Sequence, residues 1–388
     1  MSIHNTDKAL PDGFVLEWGK HPYRIKSCLI ADGFGFTYEG EALGDGVEVK
    51  NVIIREFFLG RCCQRGEDGA EMVCDEEIES TINDTLTRHA QNLMVRYKTS
   101  REHQSLLTIL DVFEANGTYY HVAENLGGPS LEEIVLTKGP LKAEEARKLF
   151  LPIFGAVKQL HLQNVLHTDI CPANIKFRNG IPVLTHLYGA KHFNEDGEMT
   201  IAIPTLNCRE GYAPPEQYLP IETFFPQIDI FALASTIAFT MTGKRLPSSP
   251  TLTEQKLVEF FPAGFPTDIR NALIRALSHD MENRPQTLSS FKKALDTNFG
   301  AKDEPVIKDK RFKKVAKWMK DKWQAFSNYL PSVHDDDIPL TEEEIEADLP
   351  DTDEIEASMN DAYPRLIVIG GLVVFICIGL IVLILATI

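Results

Sequence analysis

Strand-forming and helix-forming segments are segregated along this 388-residue chain, and that order restricts its architecture more than any other feature. "YRIKSCLI" (23–30), "VEVKNVIIREFF" (47–58) and "TYYHVAEN" (118–125) are rich in β-branched and aromatic residues, as strands require. One helix is expected among them in the first hundred residues. Further on, "AEEARKLFLPIFGAVKQLHLQ" (143–163) and "DIFALASTIAFTMTGK" (229–244) have the character of buried helices. A strand-rich half followed by a helix-rich half predicts an α+β chain with a cleft between two lobes. The hydrophobic content of 44% is enough for a sizeable core.

A formal net charge of -17 argues against a general nucleic-acid binder, because no cationic excess is available to displace counterions from phosphates. The seven cysteines form neither a CxxC pair nor a Cys/His cluster with zinc spacing, and read as reduced thiols in a cytosolic body. Residues 1–13 form an N-terminal extension without the basic and apolar regions of a signal peptide.

Three segments follow the globular part. Residues 306–330 place Phe312, Val315, Met319, Trp323, Phe326 and Leu330 at steps of three and four, the stripe of an amphipathic helix, with eight Lys or Arg against two Asp. That helix either packs on the globular domain or lies on an anionic membrane surface. Residues 334–364 carry thirteen acidic and no basic residues and are expected to form a flexible linker. Residues 366–388, "LIVIGGLVVFICIGLIVLILATI", hold no charge, and as a helix would reach roughly 35 Å, enough to span a bilayer. The expected topology is a C-terminal transmembrane tail anchor, with Arg365 at the inner edge and the head in the cytoplasm.

Within the head, "LIADGFGFTYEG", "VIIREFF", "HVAENLGGPSLEEI", "HTDICPAN", "HLYGAK", "GYAPPEQY", "DIFALAS" and "ENRP" occur in that order. Over residues 14–298 the series resembles protein kinases, particularly the bacterial Ser/Thr type. The resemblance implies a bilobal protein-kinase-like fold. It implies that Asp169 orients a substrate hydroxyl, that Asn174 is an amide ligand for magnesium, and that Gly33, Gly35, Arg55 and Glu124 belong to the nucleotide pocket. It also pairs Glu216 with Arg284 in a buried ion pair and makes Asp229 the cap of the catalytic loop.

Several positions depart from the pattern that the resemblance implies. Thr168 replaces an arginine and Cys171 a lysine. Arg55 stands for the strand lysine, although its forked guanidinium is not equivalent to a compact ammonium. His89 aligns with the helix glutamate, with Glu76, Glu77 and Glu79 as upstream alternatives. His186, Leu187 and Tyr188 stand on Asp-Phe-Gly, and an imidazole is a poor substitute for a carboxylate on magnesium. Ile30 and Asp32 occupy two glycine positions of the phosphate loop, where the backbone must approach closely and a carboxylate repels phosphate.

Together these changes predict no ordinary two-magnesium site, no certain cofactor, and ATP bound, if at all, without one. The expected function is that of a membrane-tethered pseudokinase acting as a scaffold or allosteric regulator of a protein partner. The alternative is an atypical active Ser/Thr kinase that uses ATP, with Asp169 as base and Arg55 or Lys50 on the phosphates. A third reading has ATP as a structural ligand only.

Overall fold

The computed structural model describes residues 6–44, 51–192, 208–218 and 225–295. All belong to one compact unit, Met1–Asp321; a second unit, Lys322–Ile388, lies outside the described residues. The basic segment 306–330, the acidic linker 334–364 and the apolar segment 366–388 lie outside them too. Among the described residues, no helix is long and apolar enough to cross a membrane.

The three strand-like segments supply strands of one antiparallel sheet. Its strands are β1 (Val15–Leu16), β2 (Tyr23–Asp32), β3 (Gly35–Ala42), β4 (Asn51–Phe57), β7 (Ile109–Ala115) and β8 (Thr118–Glu124), in the order β1-β2-β3-β4-β8-β7. Between β4 and β7 the chain forms a hairpin of β5 (Cys63–Arg65) and β6 (Met72–Cys74), then the helix α1 (Glu79–Thr99), which packs on β7 and β8. Tyr23, Ile25, Tyr38, Ile54 and Val122 turn inward and form one apolar core.

Inside that core lies a carboxylate. Glu56 of β4 is fully buried and meets the guanidinium of Arg65 in a two-pronged contact at 2.7 and 2.8 Å. The hydroxyls of Tyr38 and Tyr120 each donate to it at 2.7 Å. Arg65 also lies over the Phe58 ring, 4.3 Å from its centroid. Every strong acceptor direction of the carboxylate is thereby used, which is the condition for a buried charge to be tolerated.

The second half is helical. Ser130 caps α2 (Leu131–Lys138) through a reciprocal box with Glu133. The helix α3 (Ala143–Leu162) then leads to β9 (Val165–Leu166) and to the hairpin of β10 (Ile175–Arg178) and β11 (Ile181–Leu184). The pair of β9 with β12 (Lys191–His192) closes this region. The helix α4 (Gln227–Thr242) is buried from Gln227 to Thr240, which is why its sequence is apolar on every side; Gly243, at φ 70°, ends it. Against it packs α6 (Thr267–Ala276), α7 (Leu288–Leu295) packs on α3 and α6, and α5 (Glu254–Phe260) adds Leu257 to the same core. Glu216 and Arg284 form the expected buried pair, at 2.6 and 2.9 Å, and Arg284 also donates to the carbonyls of Ser278, His279 and Gln227.

Replacing Arg65 with alanine leaves Glu56 charged in an apolar core. The Arg65→Ala protein is expected to lose about 3–5 kcal/mol of stability, read as a lower midpoint in denaturant titration, whereas loss of an exposed pair such as Arg24–Glu41 should cost under about 1 kcal/mol.

Candidate functional site

The loop "HTDICPAN" runs from β9 into a short 3-10 turn, Pro172–Asn174. Asp229, fully buried near the start of α4, accepts the backbone N–H groups of His167 and Thr168 at 2.9 and 2.8 Å and contacts His161 Nε2 at 2.8 Å. Thr168 adopts the left-handed conformation, φ 62°, and its carbonyl accepts from Gln217. The His167 ring accepts the Asp169 N–H on Nδ1, which leaves Nε2 to donate to the Thr185 carbonyl. Five groups thus fix a bend that few residues adopt unaided.

The bend presents Asp169, and its carboxylate is already engaged. Arg209 donates Nε and Nη2 to its two oxygens at 2.9 and 3.0 Å, and Asn174 Nδ2 donates to Oδ2 and to the backbone carbonyl, both at 2.8 Å. Burial alone would raise the Asp169 carboxyl, but the Arg209 hydrogen bonds and the neighbouring positive charge outweigh it and hold the group below the usual carboxylate range.

His186 stands beside it, with Nε2 3.7 Å from Asp169 Oδ2, and its backbone is left-handed at φ 69°. Burial drives its imidazole down to about 3, against the attraction of Asp169. It is therefore neutral at ordinary pH. The ring lies 3.7 Å from the Tyr188 centroid. Arg96 of α1, itself fully buried, donates to the carbonyls of Leu187 and Tyr188 and so ties this segment to the helix.

From the other side, Arg55 of β4 reaches into the same space. Its guanidinium donates to Asp32 at 2.7 Å and to Thr37 at 3.0 Å, and lies 4.7 Å from the Tyr188 ring centroid. The partner of this cation is therefore Asp32 of β2. His89 instead stacks on Phe57 at 4.0 Å, while Glu76, Glu77 and Glu79 are exposed. His89 and buried His121 are pushed well below the ordinary imidazole range, first by burial and then by Arg96 and Arg55. The result is a string of contacts across the cleft: Asp32, Arg55, Tyr188, His186, Asp169, Arg209.

The remaining site residues serve the scaffold. Glu124, at the end of β8, accepts from Arg178 Nε at 3.0 Å and Nη2, and from the Thr108 N–H at 2.8 Å. Arg178 belongs to β10, so this pair clamps the sheet to the helical half. A Cβ on Gly35 (φ +139°) would stand 1.9 Å from the Glu56 carbonyl, so glycine there is required by β3–β4 packing. Gly33 has open space around it.

A magnesium ion bridging phosphates needs several hard oxygen donors in an octahedron. The residues here offer one carboxylate held by a guanidinium fork, the single amide oxygen of Asn174, and a neutral imidazole. This donor set does not fit such an ion. Arg209 was not legible as a site residue; the only hint was that Cys171 left the loop without its expected cation, and that "CREGYAPPEQY" places an arginine just upstream of a conspicuous motif.

Comparison with known proteins identifies the fold, and says nothing of the donor set. A family model described as protein kinase domain matches residues 63–298. The chain is 22% identical over 271 residues to serine/threonine-protein kinase PrkC of Bacillus subtilis, covering 67% of this chain and 40% of that protein. It is 27% identical over 160 residues to calcium/calmodulin-dependent protein kinase type I of Schizosaccharomyces pombe, covering 40% and 47%. It is 26% identical over 216 residues to serine/threonine-protein kinase D of Synechocystis, covering 53% and 41%. The chain therefore spans less than half the length of each of these relatives.

The depressed imidazoles give a pH test. In the unfolded chain His186 takes a proton below about pH 6.5, whereas in the fold it does so only near 3. The unfolded state binds more protons across that window, so stability falls as pH falls, by up to about 1.4 kcal/mol per pH unit for each such histidine. His89 and His121 add to the slope with the same sign. The depressed carboxyls of Asp169 and Asp229 act separately, losing their contribution only below about pH 4. Denaturation between about pH 6 and 4.5 should show a shallower slope in His186→Asn, since asparagine also accepts the left-handed backbone; an unchanged slope would mean that His186 titrates normally.

Proposed function

The chain belongs to the protein kinase family, and from that premise we propose that it is a membrane-tethered pseudokinase, a kinase-like head that regulates or scaffolds a protein partner. The observation that carries this reading is the occupation of Asp169. Its carboxylate, the group that would orient a substrate hydroxyl, is held on both oxygens by Arg209 and lies beside a neutral His186 where a metal carboxylate would be needed. The cation of β4 is likewise committed, to Asp32, so neither half of the cleft presents its charge to a triphosphate. The fold-supporting pairs, Glu56–Arg65, Glu216–Arg284 and the Asp229 cap, are complete. Intact support around a committed site is the pattern of a fold kept for binding.

The membrane part rests on residues 366–388, an uncharged stretch of bilayer length, with the acidic residues 334–364 as the tether. On this reading the head lies on the cytoplasmic side.

A second reading is favoured by one observation. Asp169 and Asn174 are both retained and mutually hydrogen-bonded, and Asp169 is ionised, as an atypical active Ser/Thr kinase would need. Melting of the full chain with ATP, with and without magnesium, separates the two, together with transfer of label from nucleotide. The pseudokinase is expected to show neither a magnesium-dependent shift nor transfer. Label transfer that disappears in Asp169→Asn would establish the active kinase instead, and an ATP shift indifferent to chelator would assign ATP a structural role.

A further inference from the structure

In the helical half, α3, α4, α6 and α7 leave a groove of about 220 Å³ that none of the cleft residues lines. Its floor is apolar: Phe150, Phe154 and Ile237 are buried, and Met241, Ile269 and Leu295 are partly so. Its rim carries one acid and one base, Glu144 and Arg147, 3.5 Å apart. The groove therefore offers apolar contact with little net charge, and suits one apolar stripe whose polar face remains in water.

The path of the chain identifies the occupant. Leu295, the last described residue of α7, itself lines the groove, so the following segment starts at its edge. That segment contains Gly300 and Pro305, which interrupt a helix, and then resumes a helical period with Phe312, Val315 and Met319 on one side and Lys313, Lys314, Lys317 and Lys320 off it. Sixteen residues lie between Leu295 and Phe312, ample for the chain to turn back on the groove from which it departs. A groove of this volume holds only a few side chains, which matches three anchors rather than a whole long helix.

The geometry points to an intramolecular docking site: residues 306–320 fold back as a basic amphipathic helix and insert Phe312, Val315 and Met319 between α3, α4 and α6. The lysines of the segment then face outward and form a basic stripe on the head. The site is independent of the cleft and does not depend on the catalytic status of the fold.

The test uses the full chain in detergent. A benzophenone side chain introduced as Met319→benzoylphenylalanine is expected to label peptides of α3 or α4 within the same molecule, and trypsin is expected to cut between Lys313 and Lys320 at least about tenfold more slowly than in an undocked protein. Met241→Glu places a charge in the groove and should abolish both the labelling and the protection from trypsin. Should that variant melt lower, the pair Phe312→Asp with Met319→Asp alters only the inserted segment, and it should expose the same trypsin sites with the head melting unchanged. Labelling of detergent or lipid would assign the segment to the membrane surface, and labelling between two molecules would assign the groove to a second copy. Either result, or equal trypsin rates in all variants, overturns the proposal.

Discussion

The buried carboxylate of Asp229 holds the site together. It receives two consecutive backbone N–H groups, of His167 and Thr168, and contacts His161, and no solvent reaches it. A charge in that position is tolerated because each partner is a hydrogen-bond donor or a potential cation, and the same bonds hold the left-handed backbone at Thr168. Asp169 follows immediately, so its direction is set by a residue sixty positions later in the chain. The Glu216–Arg284 pair and the Gln217 bond to the Thr168 carbonyl support the same loop from below.

On that frame the cleft has settled its own charges. Arg55 cannot serve as a compact ammonium, but its planar fork suits Asp32 and Thr37 at once and its face suits Tyr188. Asp169 finds a second fork in Arg209. Three imidazoles, His89, His121 and His186, are kept neutral by burial beside Arg55 and Arg96, so added cations do not accumulate. Two departures from the family pattern, Arg55 on the strand and Asp32 in the loop, answer each other directly. These two substitutions are thus coupled, and changing either one removes the partner of the other.

The strand, helix and loop positions were legible because they rest on local period and on the order of motifs. The roles of Glu216, Arg284 and Asp229 are legible because each sits in a short motif with a fixed structural task. The partner of Arg55 is not legible: α1 and the residues just before it offer His89 and three glutamates as candidates, yet the structure turns the glutamates outward and stacks His89 on Phe57. From residue type alone Asp32 is a carboxylate that repels phosphate; the β2–β3 turn also brings it against Arg55, a contact that only the tertiary structure shows. The Glu56–Arg65 pair escaped notice because its two halves are separated by a loop with no periodic signal.

By itself the sequence determined the family, the two-lobed order of elements, and the presence of Asp169, Asn174 and His186 in their motifs. These depend on residue type and spacing along the chain, which a single sequence displays in full. Only the tertiary structure decided that Arg209 closes on Asp169, that Arg55 joins Asp32, and that Glu124 clamps Arg178. Those contacts link residues 23 to 54 positions apart, and a long flexible cation can reach any of several acids until packing fixes which one lies within 3 Å.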